Sequence, residues 1–155
     1  MTPTQTLEAL IGRLTELSPD TERRWGVMSV QHMVEHLAIT LALSNGKIQV
    51  PLRTPEAELP ARLAHLWSDK PIPKGIRAVA AINEPLPLRF ANLDEAHAAV
   101  QRQYAAVAPY FAQNPDARPM HPVYGPLDLE GWIRFHVKHF EHHYRQFSLL
   151  PDLDA

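Results

Sequence analysis

Cysteine is absent from this chain of 155 residues. Its absence excludes disulfides, thiolate zinc sites and a thiol nucleophile supplied by the chain itself. Any bound metal must therefore be held by His, Asp or Glu. Clustered basic charge is also lacking, since the formal net charge is −2 and no run of like charge is longer than the pair Arg23-Arg24. A nucleic-acid-binding surface needs a clustered basic face, so we expect no nucleic-acid partner.

Long apolar runs are missing as well. No stretch is long enough to span a membrane, and no charged-then-apolar leader follows Met1. We therefore expect no membrane partner and a cytoplasmic location. The length, together with a hydrophobic fraction of 45%, is typical of one globular domain with a real core. Residues 1–155 are predicted to form a single domain.

Histidine, by contrast, is abundant. The chain has nine histidines, and four of them fall within eight residues: His136, His139, His142 and His143. The stretch Gly131–Leu150 around them contains no proline. Because Asp128 just upstream can act as the N-cap, the pattern predicts a helix over 128–148.

Two of these histidines lie side by side. At ~100° per residue, His139 and His143 are one turn apart on one face of the helix. Trp132, His136 and Gln146 lie close to the same face. A histidine pair with i,i+4 spacing on a helix chelates a divalent metal, but it fills only half of a tetrahedral shell. A metal site would need a further ligand from elsewhere in the chain.

Apolar spacing and capping residues predict three more main helices. They span residues 4–17, 29–44 and 92–108. Ser29 is the predicted N-cap of the second, and Asn92 with Glu95 has the form of a capping box at the start of the third. Pro109 is expected to end or kink the third helix, because its ring blocks the bond back to the preceding turn. In the second helix, His36 lies beside the apolar stripe and can point into the bundle.

The connection between the second and third helices is long and rich in proline. Residues 47–91 contain seven prolines, and only a short helix over 58–69 is predicted within them. So long a connection suits a bundle with a crossover rather than simple hairpins. No credible strand pattern is present. The predicted fold is therefore all-α, a four-helix bundle with a long Pro-rich crossover between helices 2 and 3.

Two motifs resemble one protein family. The element His139-x-x-His142-His143-x-x-Gln146 resembles the last helix of DinB-like (YfiT-like) proteins, and Met33–Ala38, MVEHLA, resembles their second-helix ligand motif. The resemblance implies a four-helix bundle that binds a divalent metal ion. It also implies the three ligands, one from the second helix and two from the fourth: His36, His139 and His143. Zinc or nickel is the expected ion, with iron as an alternative.

The resemblance also bears on function. DinB-like proteins of known activity use low-molecular-weight thiols, and many members, including the branch that this chain resembles most, have no assigned activity. We therefore expect a metal-dependent enzyme acting on a small molecule, with thiol-dependent transferase or hydrolase-like activity. The alternative is a non-catalytic metal-binding or stress-related bundle in which the ion is structural. A homodimer is also expected.

The other histidines near the motifs receive weaker assignments. His136 can support a metal ligand, contact substrate or replace a ligand. His142 is expected to face solvent or a neighbouring helix. His32 is expected to cap the second helix or line the mouth of the site.

Four further residues also receive assignments from the sequence. Glu35 is interpreted as solvated or as an interhelical salt-bridge partner rather than as a base. Gln146 is expected to hydrogen-bond a ligand imidazole or a bound water, or else to tie helices together as a buried amide. Trp25 is interpreted as a core residue, and Tyr144 as flanking the site on its outward side.

Overall fold

The computed structural model of the protein describes residues 1–74 and 86–153. This part of the chain is mostly helical. Its helices are α1 (Pro3–Gly12), α2 (Val30–Ser44), α3 (Leu59–Trp67), α4 (Leu93–Ala105), α5 (Val107–Gln113) and α6 (Leu129–Gln146). Short 3-10 helices follow α1 at Arg13–Glu16 and precede α3 at Glu56–Glu58. The predicted all-α fold is confirmed. The predicted main helices are found with boundaries within about three residues, except that α1 ends at Gly12 and the rest of its predicted span continues as the 3-10 helix Arg13–Glu16.

Four of these helices form the bundle. Helix α2 packs against α4, α1 packs against α6, and α2 also meets α6. Their apolar faces meet in one core whose largest fully buried side chains include Leu7, Met33, Leu37, Leu41, Trp132, Phe140 and Tyr144. Full burial of each such side chain stabilises the fold by about 1.5–3 kcal/mol. The contact between α2 and α6 brings the two histidine-bearing helices together.

The capping residues act largely as the sequence predicts. Ser29 accepts a hydrogen bond from the His32 backbone N–H, and the His32 ring accepts one from the Ser29 backbone N–H. His32 therefore caps α2. Asn92 accepts from the Glu95 backbone N–H at 2.9 Å, but the Glu95 carboxylate accepts from the N–H of Ala91. The predicted capping box at α4 is therefore only half formed.

Pro109 ends the third main helix as predicted. Helix α4 stops at Ala105, whose carbonyl would otherwise bond to the N–H that Pro109 lacks. Helix α5 begins two residues later, and Pro109 lies in its first turn. The missing N–H costs no hydrogen bond there, because N–H groups in the first turn of a helix have no partner within the helix.

The described part of the crossover is attached to α6. Arg134 donates to the carbonyls of Leu66 and Trp67 at 2.9 and 2.8 Å. Lys138 donates to the carbonyls of His65 and Lys70, both at 2.7 Å. These cations bind carbonyls at and just beyond the C-terminal end of α3, where the last carbonyls of a helix have no partner within the regular helical pattern.

One small element was not expected. Met120–His121 pairs antiparallel with Gly125–Pro126 in the loop before α6. The prediction of no strands is therefore wrong for this two-residue pair, which is too short to show an alternating pattern in the sequence. Within the described ranges, no helix combines the length and apolar character that crossing a membrane requires.

Candidate metal centre

Three histidines converge between α2 and α6. His139 and His143 lie one turn apart on α6, and His36 faces them from α2. The Nε2 atom of His139 is 2.9 Å from Nε2 of His36 and 3.1 Å from Nε2 of His143. One ring nitrogen from each residue lies within 4.8 Å of the others. Three ring nitrogens that face one another in this way can all coordinate a single bound cation.

Burial keeps these imidazoles neutral. It lowers the pKa of His36 to about 4, with a smaller contribution from His142. Burial, assisted by the neighbouring histidines, also holds the pKa values of His139 and His143 well below their usual range. A metal ligand must be deprotonated, so all three rings are in the ligating form at neutral pH.

The orientation of His143 is set by a chain of hydrogen bonds. The Gln146 amide Nε2 donates to the Trp25 carbonyl at 2.9 Å, which fixes the amide with its oxygen toward α6. The His143 Nδ1–H donates to that oxygen, Oε1, at 2.7 Å. The proton on Nδ1 leaves the lone pair on Nε2, which points into the cluster. The predicted hydrogen bond between Gln146 and an imidazole of the candidate site is therefore present, and the same amide also joins α6 to the loop before α2.

Gly26 makes room for that amide. Its φ is +86°, and a Cβ at this position would lie 2.6 Å from Gln146 Nε2. Both facts favour glycine, which alone adopts this backbone conformation readily and leaves the space open. Sequence reasoning assigned no role to Gly26 and missed this one.

The geometry of the donors fits a divalent metal ion. In a tetrahedral zinc site with bonds of ~2.0–2.1 Å, ligand nitrogens lie ~3.3 Å apart. The observed Nε2 separations of 2.9 and 3.1 Å are close to that value. Three imidazoles leave at least one coordination position open, and such a set suits zinc, nickel or iron. The group contains no carboxylate, so it carries no negative charge to neutralise the ion.

His136 does not join the cluster. It is fully buried, and its Nε2 donates to Ser44 Oγ at 2.8 Å, while the Ser44 hydroxyl donates to the Leu41 carbonyl. Its ring stacks on Trp132 and packs against Phe135. His136 therefore packs beside the site, and its role as an alternative ligand is not supported by this geometry. This contact of Ser44 was missed because it joins residues 92 positions apart, which local sequence patterns do not predict.

His142 lies at the edge of the site rather than in it. Its Nδ1–H donates to the Ile72 carbonyl at 3.2 Å, and its ring meets the edge of Trp25. His142 was predicted to face solvent or a neighbouring helix. Its neighbour in the structure is the crossover instead. Trp25 is only partly buried and lines the surface beside His142, so its interpretation as a core residue is wrong.

Two other interpretations are corrected by the structure. Glu35 is buried, and its carboxylate accepts from the backbone N–H groups of Arg89 and Phe90. It therefore holds the segment before α4 and is neither solvated nor paired with a cation in the part of the chain described here. Tyr144 points inward, and its hydroxyl donates to the Leu10 carbonyl, joining α6 to α1. Burial raises the pKa of this phenol.

The fold and the site together define a helical bundle with a candidate three-histidine metal centre. The sequence profile described as DinB superfamily matches residues 3–147, almost the whole chain. The chain therefore belongs to the DinB superfamily, as its motifs indicate. No match was found among curated proteins or among solved structures.

Proposed function

We propose that this protein is a divalent-metal-dependent enzyme whose ion is held by His36, His139 and His143. The observation that carries the proposal is the convergence of three neutral ring nitrogens on one point between α2 and α6. A bound ion supplies Lewis-acid chemistry and favours the anionic form of a group that coordinates it. Zinc or nickel is the ion that we expect, with iron as the alternative.

The substrate is proposed to be a small molecule that involves an external thiol. DinB-like proteins of known activity use low-molecular-weight thiols, and this chain supplies no thiol because it lacks cysteine. A thiol-dependent transferase therefore fits best, with a hydrolase-like reaction as the second possibility. The residues of the chain contribute orientation: Gln146 holds His143 in the ligating tautomer, and burial keeps the three rings unprotonated.

A structural role for the ion is the alternative. The three donors lie on two different helices, so an ion would join α2 to α6. Because metal-binding free energy then adds to folding free energy, such an ion stabilises the bundle whether or not it catalyses a reaction.

Metal analysis of untagged protein tests the proposal. We expect one divalent ion per chain by inductively coupled plasma mass spectrometry after reconstitution with zinc, nickel or ferrous iron. His143→Ala should lose most of this metal, while His142→Ala, a neighbouring histidine whose ring donates to Ile72, should keep it. If both variants retain a stoichiometric ion, the ligand assignment is wrong.

Turnover separates the two roles. The reconstituted protein and His143→Ala are compared for consumption of a low-molecular-weight thiol in the presence of an alkyl or aryl halide. Metal-dependent consumption that His143→Ala abolishes supports the enzyme. A stoichiometric ion that raises the melting temperature, without consumption of thiols or hydrolysis of model esters and amides, supports the structural role.

A further inference from the structure

A small cleft lies beside the candidate metal centre. It has a volume of about 110 Å³ and forms where the loop before α2, the crossover, α6 and the C-terminal tail meet. The residues that matter here are Trp25, Ile72, Lys74, His142, Arg145 and Asp152. A water molecule takes up roughly 30 Å³ of liquid, so the space suits a few waters or one small polar group.

A carboxylate of the chain already lies in this cleft. Asp152 Oδ2 is 3.1 Å from Lys74 Nζ and 3.8 Å from Arg24 Nε. The Asp152 side chain is only 11% exposed, whereas those of Lys74 and Arg24 are 41% and 49% exposed. Lys74 also lies over the Trp25 ring, 4.3 Å from its centroid. An ammonium held on an aromatic face beside a guanidinium recognises carboxylates by charge and hydrogen bonding.

Cationic side chains surround the Asp152 carboxylate in the described part of the chain. Arg24 and Lys74 face Asp152, while Arg145 contacts Glu141 at 3.4 Å. Among the described residues, Arg24 and Lys74 therefore both lie beside one carboxylate, which belongs to the C-terminal tail. If Asp152 leaves, an external carboxylate can take its place beside these two cations.

The cleft shares a wall with the metal centre. The ring of His142, which lines the cleft, is 5.0 Å from the ring of His143 between centroids. Trp25 lines the cleft with its side chain, while its carbonyl accepts from Gln146, the amide that orients His143. A molecule whose carboxylate occupies the cleft thus lies next to a metal ligand.

We propose that this cleft binds the carboxylate of a small acidic substrate of the metal centre, and that Asp152 of the tail occupies the position when substrate is absent. The role as a substrate site rests on the proposed function, whereas carboxylate binding in the cleft does not. The tail then acts as an internal competitor. If the Asp152 carboxylate occupies the site ~90% of the time, the apparent affinity of the site for an external carboxylate falls about tenfold.

Succinate binding to the full chain tests the proposal. The protein is first stripped with a chelator, so that direct coordination of succinate to a metal cannot contribute. Binding is followed by NMR through the Trp25 indole N–H, assigned with Trp25→Phe. We expect weak binding by the wild type and about tenfold tighter binding by Asp152→Asn. Asp116→Asn removes the same charge from an exposed position far along the chain, and it should bind succinate like the wild type.

A second variant tests the cation. Lys74→Met in the Asp152→Asn background should lose the gain in affinity, because the ammonium that the carboxylate contacts is gone. The proposal is overturned if Asp152→Asn does not tighten binding, if Asp116→Asn tightens it equally, or if Lys74→Met leaves it unchanged. Since the protein carries no metal in this experiment, a failure to bind metal would refute the proposed function without affecting the succinate result.

Discussion

Replacing Gly26 with alanine should disturb the metal centre without touching a histidine. The backbone at Gly26 has φ of +86°, and an added Cβ would lie 2.6 Å from Gln146 Nε2. That nitrogen donates to the Trp25 carbonyl, and the oxygen of the same amide accepts from His143. The new methyl group must therefore push the Gln146 side chain away from both partners.

The size of the effect follows from two contributions. Holding alanine in a left-handed backbone conformation costs roughly 1–2 kcal/mol. Breaking the hydrogen bond from the buried Gln146 amide and leaving its partners unsatisfied costs about 1–3 kcal/mol more. We therefore expect Gly26→Ala to lower the free energy of unfolding of metal-free protein by ~2–5 kcal/mol. Loss of support for a ligand histidine should weaken metal affinity by about 10–100-fold.

Urea unfolding and chelator competition measure the two quantities separately. The matched control is Gly12→Ala, at a glycine that has φ of −59° and nothing within 4 Å of its added Cβ. Alanine favours this helical conformation, so the control should be neutral or stabilising by up to ~1 kcal/mol. Its metal affinity should equal that of the wild type.

A double-mutant cycle isolates the contact with Gln146. In a Gln146→Ala background there is no amide to displace, so Gly26→Ala should cost only the backbone contribution of ~1–2 kcal/mol. Gln146→Ala alone should also weaken metal binding. The reasoning is refuted if Gly26→Ala costs the same in both backgrounds while metal affinity stays at the wild-type value.

Three further outcomes are expected. Chelation should lower the melting temperature of the wild type more than that of His143→Ala, by thermal-shift measurement, because bound metal stabilises only the folded chain; equal shifts would contradict a site that includes His143. Burial lowers the pKa values of His121 and His136 to about 3, so the unfolded chain binds more protons below its histidine pKa of ~6.5. Stability of metal-free protein in urea should thus fall from about pH 6.5 toward 3, by up to ~1.4 kcal/mol per pH unit for each histidine. His121→Asn keeps an acceptor for the N–H groups of Val123 and Tyr124 without titrating there, so it should give a shallower decline; an unchanged slope would exclude His121 as a cause. The expected homodimer should appear in light scattering at twice the chain mass, and a 17.5 kDa particle at micromolar concentration would count against it.

The local features of the fold follow from the sequence alone. Caps, prolines and apolar spacing act over a few residues, and they predicted the main helices and the short helix in the crossover. Pro109 marks the end of α4 at Ala105 because its missing N–H acts on the carbonyl four residues before it. The pairing of His139 with His143 is equally local, since one helical turn separates them. Family motifs added His36 as the third member of the group.

Interactions between distant segments were decided only by the tertiary structure. Hydropathy does not reveal that Glu35 turns inward to hold the N–H groups of Arg89 and Phe90, because a carboxylate ordinarily faces water. Periodicity placed Tyr144 outward, yet burial against α1 and a hydrogen bond to Leu10 hold it inside.

The surroundings of the candidate site depend on the same kind of contact. Gln146 reaches the Trp25 carbonyl across 121 positions of the chain, and Gly26 leaves space for it only because those two segments meet. Local sequence patterns determine which residues share a face of a helix, since that geometry repeats every few residues. Which faces and loops then meet depends on packing of the whole bundle, so the partners of His143 and the cleft beside it emerge only in three dimensions.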